Sequence, residues 1–129
     1  MANNSVTRGI VILGLLSVFD VLSPAVFPSA GPDVPGPPPW IEALTVVLGL
    51  TSLILVALII QAGGGAGALR RQAAGLVGCR VLSALTGVPA FFVDGVPGWI
   101  VAVVAVFVLL TVAGCVLIKP ALRTGPTGP

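Results

Sequence analysis

Residues 99–118 read WIVAVVAVFVLLTVAGCVLI, twenty consecutive positions without a charge. As an α-helix this run is about 30 Å long, the thickness of a bilayer's hydrocarbon core. It does not alternate with period two, as a membrane barrel strand does. Three more runs of the same character lie upstream, at about 9–27, 41–61 and 72–93. The sequence therefore predicts an all-α integral membrane bundle of four transmembrane helices in a single domain, with 120–129 as a flexible tail.

Composition points the same way. Hydrophobic residues make up 57% of the 129 positions and charged residues only 8%. Soluble domains carry about 25% charged residues, and so few charges could not cover a soluble globule. The first span has the length of a secretory leader, but Asp20 inside its apolar stretch and the prolines that follow suit cleavage poorly. It is read as a retained helix.

The inventory excludes whole classes of chemistry. With no His and no Tyr, imidazole metal sites and Ser-His-Asp or Cys-His catalysis are ruled out. Four carboxylates and a net charge of +2 leave little for a di-metal cage and too weak a footprint for nucleic acid. No cofactor is expected, and the protein is expected to be non-enzymatic. An intramembrane enzyme would rest its acid chemistry on Asp20 alone.

The basic residues fix an expected orientation. Arg8 precedes the first span, Arg70 and Arg71 lie between the second and third, and Lys119 and Arg123 follow the fourth, while Asp33, Glu42 and Asp94 fall at the other ends. By the positive-inside rule both termini and the middle loop are cytoplasmic in a multi-pass cell-membrane protein. Trp40 and Trp99 then fall at the outer boundary, where indoles anchor. The connections differ: GPDVPGPPP at 31–39 reads as a stiff polyproline cap, AGGGAGALRR at 62–71 as a flexible loop, and Asp94–Gly98 as a tight turn.

Two matches hint at a duplication. Asp20-Val21-Leu22-Ser23 is echoed by Arg80-Val81-Leu82-Ser83, and Pro38-Pro39-Trp40-Ile41 by Pro97-Gly98-Trp99-Ile100, at offsets of 60 and 59. A tandem, parallel repeat of a helical hairpin (2+2) would place its pseudo-axis along the membrane normal.

That repeat bears on the two charges within the spans. Arg80 lies about 14 Å along its helix from Arg71, and Asp20 about 18 Å from Arg8, at 1.5 Å per residue. Both depths are near mid-membrane, where either charge costs about 2.5–3.5 kcal/mol. Each is the other's only buried partner, so an ion pair is expected. Pro24 lacks the amide that would bond the Asp20 carbonyl, which the arginine could also take. The pair could fix helix register, serve as a coupling carboxylate with its gate, or face a partner protein's helix.

On the third span Gly75, Cys79, Ser83 and Gly87 recur every four residues as a small-residue packing stripe. Cys79 is read there as a packing residue, and no disulfide to Cys115 is expected. Pro89 is expected to kink the third helix, with Phe91 and Phe92 facing lipid. The hydroxyl residues within the spans are expected to bond their own helix carbonyls.

The stretches ILGLLSVFDVLSP (12–24) and RVLSALTGVPAFFVDGVPGW (80–99) resemble small four-helix membrane proteins of high-GC actinobacteria. The resemblance covers most of the chain and implies no known activity. Length and helix count are also similar to small multidrug-resistance transporters and fluoride channels. The former share a first-helix Glu, however, whereas the only first-helix acid here is Asp20, and the expected aromatics are missing. Two functions remain open: an accessory or assembly subunit or self-associating scaffold, with the bilayer and a homo-oligomer or larger complex as partners; or a minimal dimeric transporter or channel.

Overall fold

A computed structural model of the chain describes residues 4–26, 33, 38–62 and 66–123. Its helices are α1 (Asn4–Val26), α2 (Pro39–Ala62), α3 (Ala66–Gly87) and α4 (Gly98–Arg123), with a 3-10 turn at Val88–Phe91 between the last two. All four helices are long and apolar enough to cross a membrane.

The helices form a ring in chain order. α1 packs on α2 and α4, α3 packs on α2 and α4, and α1 and α3 meet only sparsely across the diagonal. Each neighbour runs antiparallel to the next. Near one end, glycine Gly9 of α1 lies against Gly114 and Ile118 of α4; near the other, Gly87 of α3 lies against Val104 of α4. Arg8, Arg70, Arg71, Lys119 and Arg123, all exposed, therefore share one end of the bundle, and Glu42 and Asp94 share the other. These are called the basic and acidic ends below.

Several boundaries differ from those read in the sequence, for reasons visible in the packing. α1 starts at Asn4 rather than near Gly9, because Val6 is buried in the core. α3 starts at Ala66, so Arg70 and Arg71 stand within a helix and not in a flexible loop. At its far end Pro89 does not kink a continuing helix. α3 stops at Gly87, and Pro89 sits in the first turn of the 3-10 segment, where its missing amide costs nothing. α4 runs through Pro120 to Arg123, because Ala121 is buried and Leu122 packs beside it. Residues 120–123 are thus helical rather than tail; 124–129 lie outside the described residues, as does most of the proline-rich segment 31–39. The turn after the 3-10 segment uses Gly95 at φ 88°, a left-handed conformation that suits glycine.

Burial is lopsided. The core comprises Val6, Leu13, Leu16, Ala73, Leu76, Ile118 and Ala121. All of these lie toward the basic end. The outer surface is apolar along every helix, with Leu15, Ile54, Leu82 and Leu109 each more than half exposed.

Glycines bring α1 and α4 into close approach. A Cβ on Gly9 would stand 2.9 Å from the Gly114 carbonyl oxygen and 2.9 Å from the Ile118 nitrogen, and one on Gly114 would stand 2.6 Å from Leu13 Cδ2. α1 and α4 therefore touch backbone to backbone, the kind of seam that maximises dispersion where no hydrophobic force draws helices together.

Candidate functional site: a charged clasp at the floor of a cavity

Asp20 sits five turns into α1 and Arg80 four turns into α3. The Arg80 guanidinium donates through Nη1 to Asp20 Oδ2, forming the expected buried ion pair. Arg80 is 1% exposed and Asp20 5%. Ser83, one turn beyond Arg80, donates its hydroxyl to the same carboxylate oxygen. A charge removed from water needs both an opposite charge and hydrogen bonds to its remaining lone pairs, and α3 supplies both from adjacent turns.

Room for the carboxylate comes from α2. A Cβ on Gly49 would stand 2.9 Å from Asp20 Cβ and 3.0 Å from the Ser17 carbonyl. Gly49, the one glycine of α2, lets α1 lie close enough for Asp20 to reach the bundle centre. An interior glycine is a poor helix former, which was the available signal for its packing role. Gly9, Gly49 and Gly114 all stand outside the small-residue stripe of α3.

The Asp20 carbonyl freed by Pro24 does not go to Arg80. Ser23 Oγ takes it at 2.7 Å. A neighbour on the same turn reaches it without ordering a long side chain, so the local bond wins. Arg80 Nε, buried, is left with no hydrogen-bond partner.

Most other span hydroxyls behave as expected. Ser17 donates to the Leu13 carbonyl at 2.7 Å, Ser52 to Leu48 at 2.7 Å and Thr51 to Val47 at 2.8 Å. Ser83 is the exception that serves the pair, and Thr111 Oγ1 is buried without a partner. Thr45 and Thr86 come within 3.2 Å of each other, joining α2 to α3.

The small-residue stripe of α3 serves several neighbours. Gly75 faces Leu55 of α2 (3.2 Å from an added Cβ), Gly87 faces Val104 of α4 (3.0 Å), Ser83 turns to Asp20 and Cys79 is half-buried. Trp40 and Trp99 open α2 and α4 at the acidic end and are 66% and 52% exposed. Phe91 and Phe92 are exposed there as well.

On the acidic side of the pair residues of all four helices line a partly open cavity of about 370 Å³. Asp20, Arg80 and Ser83 form its floor, and Pro38, Glu42, Val93 and Val96 lie toward its mouth. The walls are apolar and include Phe19 and Phe107, whose rings tilt at 52° with centroids 4.6 Å apart. Glu42, in the first turn of α2, turns inward, and its Oε1 is buried without a hydrogen-bond partner. In the sequence Glu42 marks only the orientation of α2; a cavity built by four separate helices leaves no local pattern.

This arrangement can hold charge and order helices. Its acid is engaged by a cation and a hydroxyl. Among the described residues no group of three or more Cys, Asp or Glu is placed to hold a metal ion. No protein family, curated protein or solved structure matches the chain.

Proposed function

We propose that this chain is a non-enzymatic component of the cell membrane, an accessory or assembly subunit or a self-associating scaffold, whose Asp20–Arg80 pair clasps the bundle shut. The observation that carries this reading is the position of the pair on the diagonal. α1 and α3 otherwise barely touch, so the pair and Ser83 are what link these two helices directly across the ring. The apolar outer surface along all four helices leaves wide faces for lipid or for a partner's helices.

Both termini face the cytoplasm in this reading, supported by the five exposed cations at one end of the bundle. A tandem hairpin origin is supported by the matching starts of α2 and α4. The Pro38 carbonyl accepts from Ile41 and Glu42, and the Pro97 carbonyl from Ile100 and Val101, in the same register. The equivalent residues Asp20 and Arg80 meet across the diagonal, an arrangement compatible with a two-fold axis.

The cavity favours a second reading, a minimal dimeric transporter or channel with Asp20 as coupling carboxylate, since it reaches the acid. Against it stands the packed core beyond the pair, which leaves the cavity blind.

The test is charge exchange. Asp20→Asn and Arg80→Gln should each lower the folded yield in detergent, and Asp20→Arg with Arg80→Asp should restore part of it. If both neutralised variants are as stable as wild type, the clasp is not what holds the bundle. Uptake of a solute by vesicles containing only this chain, abolished by Asp20→Asn, would instead favour transport.

A further inference from the structure

The cavity has a charge imbalance that the clasp does not resolve. Three ionisable side chains line it: Asp20, Arg80 and Glu42. Asp20 and Arg80 neutralise each other at the floor. Among the described residues Glu42 is left as the one unbalanced charge of the cavity, held in an apolar wall with a buried carboxylate oxygen that no described donor reaches. The N-terminal end of α2 favours a negative charge at this position, but a helix dipole does not supply the missing hydrogen bond. A buried acceptor without a donor is costly, and the cavity beside it is large enough for a small organic molecule.

We propose that the cavity is a binding site for a small, mostly apolar protonated amine, with Glu42 as its counter-ion. The ammonium donates to Glu42 Oε1, the group that lacks a donor. The hydrocarbon body lies along Ile41, Ile100, Val104 and Phe107, all of which line the cavity. The paired Asp20 and Arg80 close its inner end and present no net charge, so they select for neither ion. An anion is disfavoured because it would meet Glu42 before reaching the arginine. This proposal does not depend on whether the protein acts as a scaffold or a transporter.

The experiment compares three probes of nearly one shape on the full chain in nanodiscs, with empty nanodiscs as the blank. They are protonated N,N-dimethylbenzylamine, its uncharged isostere isobutylbenzene, and the anion phenylmethanesulfonate. The amine should bind at least tenfold more tightly than isobutylbenzene, and the sulfonate more weakly than either. Glu42→Gln should erase the preference for the amine while leaving isobutylbenzene unchanged, and Glu42→Asp should keep most of it. Ala84→Phe, which puts a ring into the cavity from α3, should abolish binding of both. Equal binding of amine and isostere, tighter binding of the sulfonate, a preference that survives Glu42→Gln, or no binding to wild type would each overturn the proposal. Amine binding that survives Ala84→Phe would place the amine elsewhere and overturn it too. Should Glu42→Gln not fold, the Ala84→Phe variant and the three-probe comparison on wild type still decide.

Discussion

The two halves of this bundle are built on opposite rules. Toward the basic end, helices meet through glycine seams and fully buried side chains: Leu13, Leu76 and Ile118 are all 0% exposed. Toward the acidic end, no described residue beyond Asp20, Gly49 and Ser83 is buried, and the space between the helices is a cavity. The charged clasp lies on the boundary. The contrast shows how a small membrane bundle can combine stability with an opening: one half is packed to hold the fold, and the pair lets the other half stay apart. In lipid, helix association depends on packing and hydrogen bonds more than on apolar burial, so the packed half should hold most of the stability.

The largest expected effect comes from removing the boundary itself. Arg80→Gln leaves Asp20 buried with only Ser83 as a partner and should cost about 3 kcal/mol. This is readable as a lower midpoint in an SDS unfolding titration. A loss no greater than that of a surface substitution would show that the clasp does not hold α1 to α3.

Side-chain deletion then compares the halves directly. Leu76→Ala opens a void in the packed half and should cost about 2 kcal/mol, mainly lost dispersion because the transfer term vanishes in lipid. Val103→Ala, on the cavity wall, only enlarges a space already present and should cost about 0.5 kcal/mol on the same reasoning. Equal losses, measured by the same titration, would erase the distinction.

Insertion gives the sharpest contrast. Gly9→Ala drives a methyl into the α4 backbone and should cost about 1–3 kcal/mol. Ala84→Phe adds a far larger group, yet faces empty space and should change stability by less than about 1 kcal/mol. A reversed order would mean that the glycine seam yields more readily than the cavity wall.

The parts legible in the sequence were those with a local or charge-based signal. Each helix announces itself as about 20 apolar residues. Asp20 and Arg80 are the two charges deep within the spans, so their pairing followed from cost alone. The helix ends were less legible, since Val6 and Ala121 extend α1 and α4 by packing on other helices rather than by hydropathy. The glycine seam and the cavity were not legible at all. Gly9 and Gly114 acquire their role only once α1 and α4 lie side by side, and Glu42 faces inward only because of how α2 is rotated. The freed Asp20 carbonyl is open to Arg80 as far as the sequence tells, but a serine three residues on outcompetes a long side chain from another helix.

The clasp also sets a timetable for biogenesis. Asp20 precedes Arg80 by 60 residues, and at a synthesis rate of about 5–20 residues per second the acid emerges about 3–12 s before its partner. For that interval α1 carries a carboxylate that nothing in the nascent chain can neutralise. α1 and α2 can associate early through Gly49, but the clasp cannot form until the third helix arrives, and the ring closes only with the fourth. The order of synthesis is thereby the order of assembly, with a half-built hairpin waiting at the membrane for its arginine.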